Sequence, residues 1–380
     1  MGAGFAGIPL RELGLVLLVA AAITYLTTGI IRTALVRSGR LNEIRDRDVH
    51  TQPKPRLGGV AMFSGFLGAV FVADQLPALT RGFMPVTPEM NAVIWAGFVI
   101  VVVGALDDLF DLDAMTKLVG QILGAVVMSL LGLSWTMLYI PFGGGTTLIM
   151  DQVQSTVITA LFTVALINAL NFVDGLDGLA AGVGMIAGSA ILVFSLTILF
   201  DQNGAVSAYP PAIIAAALVG ICAGFLPHNF EPSRIFMGDS GSMLIGLLLA
   251  AASTSASGKI NMSLYGTVDL VALMSPVIVV LAAVAIPLLD LVMAVIRRVR
   301  KGESPFAPDK MHLHHRLLRI GHTHRRVVLV LYMWVTVVAF GAVGFSVVPP
   351  LFAAGLVVVG LVGAAVLTAI PVLRGSRANS

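Results

Sequence analysis

Residues 99–120 read "VIVVVGALDDLFDLDAMTKLVG": an uncharged apolar run ends on Asp107 and Asp108, Asp111 and Asp113 follow, and a second apolar run begins almost at once. A chain suited to lipid has placed four acids at the edge of that lipid, and something must balance them. The same alternation of apolar runs and polar breaks continues in both directions. The chain has 380 residues, of which 57% are hydrophobic and 11% charged. Soluble domains carry about 25% charged residues, so this composition excludes an ordinary soluble enzyme and describes an integral membrane protein.

Apolar runs fall at 9–33, 58–77, 89–106, 117–134, 155–170, 179–200, 210–226, 241–257, 269–296, 326–347 and 350–372. The expected fold is therefore an all-α polytopic membrane protein of about eleven transmembrane helices. The first run is too long for a signal-peptide core and has no small-residue cleavage site, so it is expected to stay in the mature chain. With the N-terminus outside, Arg11, Arg81 and Lys259 fall on the outer face and every other Lys and Arg lies inside or at an inner helix end. The positive-inside rule selects that orientation and a cytoplasmic C-terminus.

The cytoplasmic segments are then 34–57, 107–116, 171–178, 227–240, 297–325 and the tail. The unusual residues all fall there. The outer segments look like plain connections, with room for a small hairpin around Gly143–Gly145. No repeat or low-complexity linker divides the chain, so 1–380 reads as one membrane domain. The single Cys222 lies in an apolar run, which rules out a disulfide framework.

Three carboxylate clusters stand out. A solvated membrane edge accounts for Asp111 and Asp113, but Asp107 and Asp108 are adjacent and repel, so ionising both calls for a cation or a shifted pKa. In "NALNFVDGLDGLAAG", Asn171, Asp174 and Asp177 recur every third residue beside Gly175 and Gly178, which let backbone approach a ligand. An ordinary turn with Asp177 capping the next helix is the plainer reading. In "SRIFMGDSGSMLIG", Asp239 sits between Gly238 and Gly241 just before the eighth run, where a carboxylate and free N–H groups meet at a helix start. Capping alone is the plainer alternative there.

The segment "RRVRKGESPFAPDKMHLHHRLLRIGHTHRR" holds five of the seven histidines. A helix after Pro308 would put His312, His315, Arg316 and Arg319 on one face, suited to phosphate or anionic head groups. Zinc is disfavoured, because no Cys is near and the spacing fits no common zinc pattern. Three acidic clusters and one basic cluster together favour a divalent metal and a phosphate-bearing substrate at the membrane surface.

Five stretches carry a family resemblance: "PRLGG" at 55–59, "LDDLFDLDAMTKLVGQ" at 106–121, "NFVDGLDGLAAG" at 171–182, "FMGDSGS" at 236–242 and "HLHH" at 312–315. In this order and spacing they resemble the polyprenyl-phosphate N-acetylhexosamine-1-phosphate transferases, which include the WecA, TarO and MraY enzymes. The resemblance implies that a polyprenyl (undecaprenyl or decaprenyl) phosphate attacks a UDP-N-acetylhexosamine and releases UMP. It implies a plasma-membrane enzyme with its active site on the cytoplasmic face, dependent on Mg²⁺ with Mn²⁺ as a substitute, homodimeric, and with no nucleic-acid partner. Asp107 and Asp108 would form the catalytic pair with Asp107 near the lipid phosphate, and the metal would fall to Asp239 and Asp108. Asn171, Asp174 and Asp177 would bind the nucleoside, Phe236 would stack on uracil and Lys117 would touch the diphosphate. His312, His314 and His315 would lie close to that diphosphate, and Lys54 and Arg56 are carried over as phosphate contacts only.

His-x-His-His resembles the WecA and TarO branch, which takes UDP-N-acetylglucosamine. MraY members, with three consecutive histidines, take UDP-muramoyl pentapeptide. A secondary transporter is the rival from another class, with Asp290 inside a span and Pro287 able to break its helix.

Overall fold

A computed structural model describes residues 8–39, 54–140, 146–201, 206–257, 276–282 and 323–378, with single positions 204, 274, 285 and 300. Its helices are α1 (Leu10–Arg37), α2 (Gly58–Gln75), α3 (Glu89–Phe110), α4 (Ala114–Leu130), α5 (Gln152–Val173), α6 (Leu179–Asp201), α7 (Tyr209–Asn229), α8 (Gly238–Ser257), α9 (His324–Val347) and α10 (Pro350–Ala378). Among the described residues, nine helices are long and apolar enough to span a bilayer, and α4 is a shorter apolar helix. Ten of the expected runs thus become helices. Of the run 269–296, the described residues 276–282 are helical; Pro287 and Asp290 lie outside the described residues.

In lipid the apolar surface supplies no drive for helix to meet helix, so close approach and interhelical hydrogen bonds take over. The sequence provides the close approach at small residues. On α7, "GICAG" turns Gly220 and Gly224 toward α1, where a Cβ would come within 2.4 Å of the Leu17 carbonyl and 2.2 Å of the Ala21 carbonyl. Helix α8 is the centre of the bundle, buried along nearly its whole length and touching α2, α3, α5, α6 and α7. Gly59, Gly104 and Gly246 set those contacts, since a Cβ at each would lie 2.1, 2.4 and 2.6 Å from the backbone of Gly241, Ser240 and Ile167. Large apolar side chains such as Leu18, Phe71, Trp95, Leu161 and Leu351 remain exposed, as lipid-facing residues do.

Polar pairs fix register inside the bundle. Asn168 donates to Gln121 at 2.6 Å between α5 and α4, and the Trp135 indole donates to Ser257 at 2.6 Å. Between α4 and α5, β1 (Met137–Ile140) and β2 (Thr146–Ile149) pair antiparallel with Tyr139 opposite Thr147, flanking the glycines where a hairpin is expected.

Candidate active site

Six helix ends meet around one cavity. It occupies about 690 Å³ between the starts of α2, α4 and α8 and the ends of α3, α5 and α7. Among the described residues, six aspartates line it, Asp107, Asp108, Asp111, Asp174, Asp177 and Asp239, against two cations, Arg56 and Lys117. That excess of acids favours a bound cation beside an anionic substrate.

Three of those aspartates are helical, Asp107 and Asp108 at the end of α3 and Asp239 at the start of α8. Helix α3 runs on to Phe110, so Asp107 and Asp108 lie in its last turn, and Asp111 closes it in the left-handed conformation at φ 51°. Asp113 then starts α4, its side chain accepting the N–H groups of Met115 and Thr116 at 3.0 Å. The Thr116 hydroxyl, which also donates to this carboxylate, and then these N–H groups hold the exposed Asp113 below the ordinary carboxylate range, so it stays ionised as a cap.

Asp108 is buried at 5% exposure and faces the start of α8. One oxygen accepts the Asp239 N–H at 2.8 Å, and the other accepts the Ser240 N–H at 3.2 Å and the Ser240 hydroxyl at 2.7 Å. The carboxylate thereby satisfies orphan donors of the helix start. Gly238, at φ +73°, has to be glycine: a Cβ there would fall 2.4 Å from the Asp108 carboxylate. The same turn is held from the other side by backbone pairing with the entry to α2, where Phe236 donates to the Pro55 carbonyl at 2.9 Å and Gly59 to the Met237 carbonyl at 3.0 Å.

Asp239 is consequently fixed with its side chain free to turn into the cavity. Its carboxylate meets the Lys117 ammonium and accepts from the Asn171 amide at 3.2 Å. Asn171 is oriented by Ser242, whose hydroxyl donates to the amide oxygen at 3.0 Å. Lys117 also reaches Asp107 at 3.1 Å. A single ammonium thus sits between two carboxylates on one side of the cavity.

Asn229 at the end of α7 and the turn after it build the opposite wall. Asn229 is buried, accepts the Gly178 N–H at 3.0 Å and donates to the Ile235 carbonyl at 3.1 Å. Asp177 accepts the Ser233 N–H at 3.0 Å, and Lys54 donates to the Ser233 hydroxyl at 2.9 Å and stands 3.6 Å from Asp177. Lys54 also lies 5.2 Å from the centre of the Phe236 ring. Asp174, just beyond α5, is pushed well above the usual carboxylate range, first by burial and then by the charges of Asp108 and Asp177, with Arg56 opposing.

The structure therefore brings Asp107, Asp108, Lys117, Asn171, Asp174, Asp177, Phe236, Asp239 and Arg56 to one cavity, with Lys54 beside Asp177. Asp177 accepts the Ser233 N–H across from α6. His312, His314 and His315 lie outside the described residues. Sequence reading missed Asn229, Ser233, Ser240 and Ser242, which hold other site residues. Asn229 and Ser233 carried one signal, a polar pair in the same site-facing segment as Asp239.

Oxygen donors and a cation already lodged between Asp107 and Asp239 fit a hard divalent ion such as Mg²⁺. Among the described residues no three His, Cys, Asp or Glu side chains converge as a preformed cage. That suits Mg²⁺, which takes one or two carboxylates and completes its shell from water and substrate phosphates. Asp239, whose carboxylate already meets a cation, is the group placed to hold it, steadied by the Asn171 amide N–H, while the Asn171 oxygen accepts from Ser242. Asp108 has both oxygens engaged by α8.

Residues 90–257 match the model of glycosyl transferase family 4. Over 97% of its length the chain is 55% identical to the decaprenyl-phosphate N-acetylglucosaminephosphotransferase of Mycobacterium tuberculosis H37Rv, covering 91% of that protein. Over 80% of its length it is 33% identical to the probable undecaprenyl-phosphate N-acetylglucosaminyl 1-phosphate transferase of Bacillus subtilis, covering 77% of it. Over 78% it is 31% identical to the undecaprenyl-phosphate alpha-N-acetylglucosaminyl 1-phosphate transferase of Escherichia coli K12, covering 73% of it.

Proposed function

The chain belongs to glycosyl transferase family 4, among the polyprenyl-phosphate N-acetylglucosamine-1-phosphate transferases, and on that premise we propose that it joins the phospho-N-acetylglucosamine of UDP-GlcNAc to a membrane polyprenyl phosphate. The products are polyprenyl diphosphate N-acetylglucosamine and UMP. Decaprenyl phosphate is the acceptor the mycobacterial relatives' names favour, at 55% identity. One observation carries the reading: Lys117 bridges Asp107 and Asp239 at one side of a cavity whose other side is built from Phe236, Asn229 and Asp177. The first side suits a diphosphate and the second a nucleoside.

Phosphoryl transfer asks for in-line placement and charge neutralisation more than for covalent help. The acceptor monoester has a second pKa of about 6 and is largely dianionic at neutral pH, so a strong base is not required. An oxygen of the lipid phosphate attacks the sugar-bearing β-phosphorus, the bond to the α-phosphate oxygen breaks, and UMP leaves with that electron pair. Asp107 orients the attacking phosphate or takes its last proton, and Lys117 moves from the carboxylates to the diphosphate. Phe236 stacks on the base, with Asp177 fixing its edge and Asn229 holding the loop that carries Asp177. Asp239 would hold Mg²⁺, for which Mn²⁺ could substitute, with Asn171 steadying its carboxylate; when bound, the ion would supply charge neutralisation on the diphosphate. The basic charge distribution supports a plasma-membrane enzyme working on the cytoplasmic face, and family likeness supports a homodimer.

The test is UMP release by purified protein with polyprenyl phosphate, Mg²⁺ and either UDP-GlcNAc or UDP-muramoyl pentapeptide, in wild type and Asp239→Ala. Release from UDP-GlcNAc alone, lost in the variant and abolished reversibly by EDTA, supports the proposal. Release from the pentapeptide donor alone moves the chain to the MraY reaction, and none from either donor overturns both. Labelled UMP exchanging into UDP-GlcNAc without lipid would replace single displacement by an aspartyl-phosphate route.

A further inference from the structure

Gly178 closes the loop that carries Asp174 and Asp177, and both sides of its peptide are held from other helices. Its N–H goes to Asn229 of α7 at 3.0 Å. Its carbonyl accepts the phenol of Tyr332, on α9, as well as the Gly182 N–H at 3.0 Å that begins the ladder of α6. Gly178 adopts φ +80°, so the chain reverses here and the orientation of its carbonyl follows from whatever grips it.

The grip is built into the sequence of α6. Its first turn, "LAAG", presents only small residues after Leu179, and the Tyr332 ring fills the space above Gly182. A Cβ on Gly182 would fall 2.0 Å from that ring. Arg325, two turns earlier on the same face of α9, donates to the Glu231 carbonyl at 3.1 Å, in the turn that supplies Ser233 and Phe236. Helix α9 thus touches both loops of the cavity's nucleoside side, although it lies outside the family-matched residues 90–257.

We propose that Tyr332 is a positioning residue for the nucleotide donor, acting through the Gly178 carbonyl on the loop that presents Asp174 and Asp177. This rests on the proposed function, in which that loop meets the nucleoside. The phenol is neutral at physiological pH, so it serves as a donor throughout the working range. A loop pinned at one peptide keeps its carboxylates within the tolerance that binding needs, and a loop released there samples more states and binds more weakly. The lipid acceptor, met on the Asp107 side, is untouched by this contact.

The test compares wild type, Tyr332→Phe and Gly182→Ala by steady-state UMP release, varying UDP-GlcNAc and polyprenyl phosphate separately. Tyr332→Phe keeps the ring and removes only the hydroxyl. The KM for UDP-GlcNAc rises about 3- to 10-fold, as the loss of one net hydrogen bond allows, while the KM for polyprenyl phosphate stays within about twofold. Gly182→Ala, which displaces the ring with its hydroxyl intact, raises the same donor KM. A donor KM unchanged in Tyr332→Phe overturns the inference, and so do equal changes in both KM values, which would mark a general structural role. A wild type that releases no UMP removes the donor reading and this inference together, whereas an active wild type matched by Tyr332→Phe removes the inference alone.

Discussion

Asp108 accepts the backbone N–H of Asp239 at 2.8 Å, so the end of α3 holds the beginning of α8. The acid that looks catalytic by its position beside Asp107 has the geometry of a cap. Asp108→Ala leaves the Ser240 hydroxyl and two helix-start N–H groups without their acceptor, at about 2–4 kcal/mol of stability. Asp108→Asn keeps one acceptor and costs less. Thermal unfolding in detergent should rank wild type, Asn and Ala in that order, with UMP release falling alongside. A variant Ala protein as stable as wild type would reject the capping role.

Lys117 stands between Asp107 and Asp239 as a tethered counter-ion. Lys117→Met should bind Mn²⁺ more tightly in the absence of donor, on the order of tenfold, because a competing cation has gone from two carboxylates. Turnover should fall, since the diphosphate loses its ammonium. Mn²⁺ titration followed by electron paramagnetic resonance reads the first effect independently of activity, and an unchanged affinity would dismiss the competition.

Asp174 has a folded-state pKa raised above its unfolded value by burial and by Asp108 and Asp177. Below the unfolded value, about 3.9, both states are protonated and the group contributes nothing. As pH rises from there through the folded pKa, the unfolded chain sheds a proton that the fold retains, and stability is lost. Asp174→Asn should therefore melt at a higher temperature than wild type at pH 7 in EDTA, with the difference vanishing toward pH 4, and should lose donor affinity. A difference independent of pH would count against this.

The glycines of the site separate into two kinds. Gly104→Ala places a methyl 2.4 Å from the Ser240 Cα, which is backbone and cannot swing aside, while nothing lies within 4 Å of a Cβ on Gly175. Gly104→Ala should destabilise by about 1–3 kcal/mol and impair turnover by shifting the start of α8. Gly175→Ala should fold as wild type. Melting curves of the two variants check the contrast.

Most of the fold is legible because lipid makes strict demands. Runs such as 58–77 and 179–200 emerge as α2 and α6 almost unchanged, since length and polarity alone define a span. The ends are where reading falters. Helix α3 extends past 106 to Phe110 and carries Asp107 and Asp108 inside its last turn, because the start of α8 offers N–H partners that hydropathy does not register. Helix α4 begins at Ala114, earlier than the apolar run, because Asp113 caps it. The aspartates and Lys117 were legible as charges without a structural excuse. Tyr332 and Asn229 were not, because each acts on backbone groups of a loop distant in sequence, and no local pattern announces such a partner. Lys54, expected beside phosphate, stands with Asp177 and Phe236 because the pairing of its strand-like entry with residues 236–237 draws it there.

Helix α8 touches five other helices and carries Asp239 at its tip. Any substitution along it must be answered by a neighbour, so the tip is the least free of the cavity's parts to drift over generations. The turns at 174–178 and 230–237 are gripped from α7 and α9 by a few hydrogen bonds, such as those of Asn229 and Tyr332 to Gly178 and of Arg325 to Glu231, a lighter tie than contact with five helices. If relatives of this protein have diverged in the sugar they accept, the divergence belongs in those turns and in the segment leading into α9, while the rod behind Asp239 stays as it is.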